Sequence, residues 1–188
     1  MAKPTLTDQD FQDAANMLGC NVAAIKAVSE VESRQKGFYD NGEPVILFER
    51  HIFSKYTNHM FDKTNPDISN PKPGGYGPSS AQHARLQEAV KLNRNAALMS
   101  ASWGKFQIMG FNFALAGFTS LQEFINAMYT SERDHLMAFV QYVKHCSLDD
   151  ELRNKQWAEF AKRYNGVDYK KNNYDTKLAA AYTKYGGK

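Results

Sequence analysis

Cysteine is scarce in this chain, with two among 188 residues, Cys20 and Cys146, far apart in sequence. A small secreted fold stapled by several bridges is thereby excluded, and without an export signal both thiols are expected to be reduced and buried. Histidine is nearly as sparse: His51 and His59 lie eight apart, and His83, His135 and His145 stand alone. No pair has the spacing of a zinc site, so no metal and no other cofactor is expected. Apolar runs stay far below the ~20 residues a bilayer span requires. The N-terminal stretch MAKPTLTDQDFQDA is too polar for a secretory signal. Internal repeats and low-complexity tracts are also missing, which argues against solenoids and disordered arrays.

What is present fits one compact domain with a sizeable core, 188 residues at 43% hydrophobic. The 12 Phe and 10 Tyr suit a carbohydrate cleft and equally a plain aromatic core. Net charge is +3, but residues 152–188 hold nine Lys/Arg against three Asp/Glu, or +6, which leaves −3 for the rest. A basic end favours an anionic polymer or surface, such as a cell envelope, over a neutral partner. Basic residues there alternate with Trp157, Phe160 and Tyr164 as in a packed helix, and no nucleic-acid motif appears, so nucleic acid is not an expected partner.

The stretch from Ala23 to Phe38, AAIKAVSEVESRQKGF, organises the reading. Val22, Ile25 and Val28 recur at offsets of three, the mark of one helical face. At about 100° per residue, Glu32 falls within about 20° of Ile25, in register with that face. A carboxylate there is costly to bury as an ion, and the negative end of the helix dipole opposes ionisation further. Glu32 therefore has the making of a general acid, or else turns outward at a frayed end near Ser33. Glu30 lies about 140° from Ile25 and is expected to face water or a flank.

Elsewhere, Thr7–Leu18 reads as a helix capped by Thr7 and ended by Gly19. Asp40-Asn41-Gly42 is turn chemistry leading into Val45–Phe48, a short strand expected to form one arm of a small hairpin. Ile52, Phe53 and Tyr56 suggest a helix after it. Residues 65–80 contain four prolines and three glycines, a long ordered loop over one end of the domain. Helices are expected over Ala81–Leu98, Leu121–Met128, Glu132–Val143, Leu152–Tyr164 and Asp175–Tyr185.

Three segments stand out for chemistry: Val31-Glu32-Ser33, the glycine-punctuated Trp103–Met109, and Arg163-Tyr164-Asn165-Gly166. In this order they resemble the lysozyme superfamily, including goose-type lysozymes and soluble lytic transglycosylases. The runs ILFERH (Ile46–His51), SASWGKFQIMGFN (Ser100–Asn112) and RYNG…YDTKLAAAY (Arg163–Tyr182) resemble motifs of the N-acetylmuramidase family found in bacteriophage endolysins. The resemblance extends over nearly the whole chain. It implies a mainly α, lysozyme-like α+β fold of about seven helices, with one small β-hairpin beside the cleft.

The activity implied is cleavage of the β-1,4 bond between N-acetylmuramic acid and N-acetylglucosamine in peptidoglycan glycan strands. The family's catalytic glutamate matches Glu32, as acid toward the leaving sugar. Glu49, ending the Val45–Phe48 run, is the first candidate for a second carboxylate, unless Arg50 neutralises it; Asp40, Glu43 and Glu30 are weaker. Gln107 is either an acetamido-binding amide or one that satisfies backbone groups. Trp103 is a sugar platform or core, Tyr164 matches the superfamily's late tyrosine, Asn165 lies beside it, and Tyr76 could reach over bound glycan. Many relatives carry a separate wall-binding domain. With the first helix starting within ten residues, residues 1–188 are expected to be one catalytic domain, a monomer held in the host cytoplasm until a holin opens the way to the wall. A lytic transglycosylase using Glu32 alone, or a non-catalytic envelope or nucleic-acid binding protein, are the rival readings.

Overall fold

The computed structural model describes residues 3–32 and 36–188, with the side chains of all of these except Glu32, Val167 and Asp168. Local signals set the first two helices. α1 (Asp8–Leu18) opens on Thr7, whose hydroxyl accepts from the Asp10 N–H while the Asp10 carboxylate accepts from the Thr7 N–H. This reciprocal capping box satisfies two orphan donors. The helix closes on Gly19 at φ 64, the left-handed geometry that favours glycine. α2 (Val22–Glu32) begins where the Asn21 side chain accepts from the Ala23 N–H at 2.8 Å.

α2 is enclosed more completely than a single apolar stripe implies. Ala23, Ala24, Ile25, Ala27, Val28, Ser29 and Val31 are all buried, while Val22 and Lys26 are partly exposed and Glu30 is exposed. A helix apolar nearly all round belongs inside a core, and α1 and α10 (Tyr174–Lys184) both pack against it. Glu30 accepts from Lys184 Nζ at 2.7 Å and the Tyr185 hydroxyl at 2.6 Å, so it fastens α2 to the C-terminal helix. The expected helix end at Ser33 lies outside the described residues.

The sheet departs from the expected local hairpin. β1 (Ile46–Phe48), β2 (Ala101–Trp103) and β3 (Ile108–Met109) form one antiparallel sheet in that order. β1 pairs with β2 in the register Leu47 opposite Ser102. The Asp40–Gly42 turn does form, with Tyr39 N–H donating to Glu43 O at 2.8 Å. It is followed by a single bridge, Phe38 to Pro44, because Pro44 has no N–H with which to extend a ladder. The hairpin proper is β2–β3, around Gly104–Gln107.

Ten α-helices are present among the described residues, because two expected helices are each broken in two. α4 (Gln82–Leu92) and α5 (Arg94–Met99) meet at Asn93, whose backbone is extended and whose side chain accepts from the Ala96 N–H at 3.0 Å. Asn93 thus leaves one helix and caps the next. α8 (Asp149–Arg153) and α9 (Trp157–Asn165) are separated by a linker in which Lys155 takes φ 57. α3 (Arg50–Tyr56), α6 (Leu121–Met128) and α7 (Glu132–His145) complete the set. The architecture is mainly helical with a small sheet, the lysozyme-like α+β class. Phe48, Phe53, Trp103, Phe106, Phe124, Phe139 and Phe160 are among its largest buried side chains.

Candidate functional site

The sheet has one core face and one open face. Ile46, Phe48, Ala101, Trp103 and Ile108 point into the core. Alternation along the strands sends Leu47, Ser102 and Met109 the other way, in one row across all three strands. Leu47 and Met109 remain partly exposed, and Glu49, two residues beyond Leu47, continues the same face. A cleft opens alongside, lined by Phe106, Gln107, Met109, Asn112, Tyr142, Tyr164 and Asn165. Three of the expected binding residues, Gln107, Tyr164 and Asn165, therefore share one surface.

The hairpin tip is bonded on every side. Gly104, at φ 68, donates its N–H to Val45 O at 2.8 Å. Gln107 Nε2 donates to Gly104 O at 2.8 Å and Val45 O at 3.3 Å, and its Oε1 accepts from the Ser102 hydroxyl at 2.7 Å. Its amide thus braces the turn, the second of its two expected roles. The Tyr164 hydroxyl donates to Phe106 O at 2.9 Å, and its ring stacks on Phe160 at 5.4 Å, which fixes α9 against the tip. Trp103 is not a sugar platform: it is 1% exposed, and its indole N–H donates to Leu98 O at 3.1 Å. As an inward residue of β2, its ring offers no open face to a ligand.

Behind the tip, α7 supplies two buried polar residues that sequence reasoning did not single out. The His135 imidazole accepts from the Lys105 N–H at 3.0 Å and donates from Nε2 to Met128 O at 2.8 Å. This is the neutral tautomer, and burial pulls the His135 pKa below its usual value. Glu132 accepts from the Gly37 N–H at 2.7 Å and the Leu6 N–H at 3.3 Å, with Lys105 Nζ at 3.5 Å. One turn of α7 therefore holds both the hairpin tip and the segment that follows α2. The only sequence signal was a Glu and a His three apart in an apolar helix.

The end of β1 is built differently. Glu49 donates its N–H to Ser100 O at 2.9 Å, while its side chain makes no cap bond to α3 and is 16% exposed. His51 Nδ1 lies 3.2 Å from Glu49 Oε2, and the Tyr76 hydroxyl stands against the same carboxylate. Burial raises the Glu49 pKa above the ordinary carboxylate value, opposed by His51 and then Tyr76. Burial and the Glu49 charge together raise the Tyr76 phenol. Arg50 does not pair with Glu49: among the described residues the basic nitrogen within 4.0 Å of the carboxylate is His51 Nδ1.

Tyr76 reaches this place because the Pro/Gly loop is stapled down. Buried Gln82 accepts from the Phe48 N–H at 2.9 Å and donates to Tyr76 O at 2.7 Å and Pro78 O at 3.1 Å. The Tyr39 and Ser79 hydroxyls bond at 2.8 Å, and Ser69 donates to Asp62 at 2.5 Å. Asp40 and Glu43 stay in the turn, paired with Lys36 and Asn41. Glu32 is the last residue of α2, and its side chain lies outside the described residues. Among the described residues no three His, Cys, Asp or Glu side chains converge as a metal site requires.

A family model described as N-acetylmuramidase matches residues 21–186. Among solved structures, the crystal structure of a Burkholderia AP3 phage endolysin is similar to this chain with a TM-score of 0.92 and 41% identity. The match covers 99% of this chain and 73% of that one. No protein among the curated sequences matches.

Proposed function

Because the chain belongs to the N-acetylmuramidase family, we propose that it is a phage endolysin that hydrolyses the β-1,4 bond between N-acetylmuramic acid and N-acetylglucosamine. Glu32 is the general acid and protonates the departing glycosidic oxygen. Glu49 is the second carboxylate, acting on water or on the oxocarbenium-like sugar. The observation that carries this reading is Glu49 itself: a half-buried carboxylate on the open face of the sheet, with Oε2 making no hydrogen bond. Buried carboxylates in a structural role are normally bonded at both oxygens.

The remaining assignments follow from position. Tyr164, Asn165 and Gln107 line the glycan cleft, with Gln107 bracing its wall rather than offering its amide to a sugar. Tyr76 covers the Glu49 end. Trp103 contributes packing only. Residues 1–188 act as a catalytic unit, and the basic 152–188 segment is the side turned to an anionic envelope. No helix among the described residues is long and apolar enough to cross a membrane; the route proposed to the wall is release from the host interior at lysis.

Mass spectrometry of soluble fragments from purified peptidoglycan tests the reaction. Reducing muramic acid ends, absent with Glu32→Gln, are the expected product. Anhydro-muramic ends would assign the chain to lytic transglycosylases, and no fragments at all would return it to a non-catalytic role.

A further inference from the structure

Arg50 and Arg85 form a cationic spot beside Tyr76 that the cleavage chemistry does not use. Nε of each is buried without a hydrogen-bond partner. The two guanidiniums are close enough that Arg50 lowers the Arg85 pKa, after burial, which is the larger cause. Arg85 donates from Nη2 to Asp67 O at 2.6 Å and feels the Asp67 charge at longer range. Arg50 makes no hydrogen bond or ion pair from its side chain to any described residue, and its terminal nitrogens reach solvent.

A guanidinium half withdrawn from water and left unpaired is costly, and two of the same sign side by side are costlier. Yet Arg50 is held firmly. Gly75 stands at φ 68, and a Cβ built on it would lie 2.6 Å from Arg50 Cζ. Only a glycine allows both that backbone and that approach. Tyr76, the next residue, feels the charges of both Glu49 and Arg50, so the spot borders the proposed second carboxylate. A planar fork with open terminal donors matches a carboxylate.

We infer that Arg50, supported by Arg85, is a subsite for the carboxylate carried on the lactyl arm of the muramyl sugar. This rests on the proposed glycan cleavage. Two sources share that chemistry: the lactyl carboxylate when bare, and the carboxylates of an attached stem peptide. The subsite makes the enzyme distinguish muramyl sugars from neutral chitin-type chains next to the bond it cuts.

Affinities of wild type and Arg50→Gln are compared by calorimetry for three soluble ligands. These are a disaccharide with a bare lactyl group, the same disaccharide with its stem peptide, and a neutral N-acetylglucosamine oligomer. Arg50→Gln weakens the anionic ligands about fivefold or more, the range of one lost charged hydrogen bond partly screened by water, and leaves the neutral oligomer unchanged. Attaching the stem peptide turns the lactyl carboxylate into a neutral amide. A loss with the bare ligand alone therefore assigns the lactyl carboxylate, a loss with the stem-bearing ligand alone assigns the peptide carboxylates, and a loss with both assigns a subsite that takes either. Arg50→Lys retains part of the affinity, because it keeps charge without the fork, and it stands in if Arg50→Gln misfolds. Equal affinity in wild type and variant, an equal loss for all three ligands, or no wild-type preference for anionic over neutral ligand would overturn the inference. Binding is read without turnover, so failure of the muramidase reading shows separately as absence of released fragments.

Discussion

At the hairpin tip, the Gln107 amide, the His135 imidazole and the Tyr164 hydroxyl are each bonded to backbone within 3.3 Å. At the end of β1, Glu49 Oε2, Arg50 Nε and His51 Nδ1 are all buried without a hydrogen bond. The two regions border the same open sheet face, and the difference separates scaffold from chemistry. Satisfied polar networks make a rigid wall against which a glycan can be positioned. Unsatisfied buried groups are a cost that a purely structural region does not normally retain. The tip is therefore expected to respond to substitution through stability, and the β1 end through activity.

The largest stability effect is expected at Gly104. An alanine there is strained by φ 68 and places a Cβ 2.8 Å from the His135 ring. Gly104→Ala should cost about 3 kcal/mol, the sum of left-handed strain and overpacking, and lower the melting temperature by about 10 °C in calorimetry. Trp103→Phe follows, at about 2 kcal/mol for the lost indole bond and volume. Its KM for glycan should stay unchanged; a raised KM with unchanged stability would restore the sugar platform and erase the contrast.

At the other region the sign reverses. Since burial raises the Glu49 pKa in the folded state, the ionised carboxylate works against folding at neutral pH. Glu49→Gln should melt at the same or a higher temperature at pH 7, and the difference should vanish as pH falls below the ordinary carboxylate range. The smallest effect is expected from Tyr76→Phe. Tyr76 lowers the Glu49 pKa, so its loss raises that pKa, and the acid limb of the pH–rate profile moves to higher pH with little change at the optimum.

How far sequence reaches follows the same division. Thr7 and Gly19 bracket α1, and Leu121–Met128 is helical over its expected span, because caps and periodicity act within a few residues. The pairing of β1 with β2 was not legible, since nothing local in Ile46–Phe48 names residues 101–103 as its partner. Asn93 could pass for an ordinary helix residue until its side chain is seen capping α5. In the site, Glu49 and Tyr76 were legible as residue types in suggestive places. That Arg50, one residue on, turns from Glu49 toward Gly75 was not. The roles of Gln82, Glu132 and His135 were not legible because each acts on backbone far away in sequence.

The most direct test of the division between scaffold and chemistry is the initial rate of soluble fragment release by Glu49→Gln, measured at the wild-type optimum beside its melting temperature. Loss of about a hundredfold in rate, with the melting temperature unchanged or raised, is the predicted result. A rate within about twofold of wild type, or a rate lost only in step with stability, would contradict it and make Glu49 part of the scaffold.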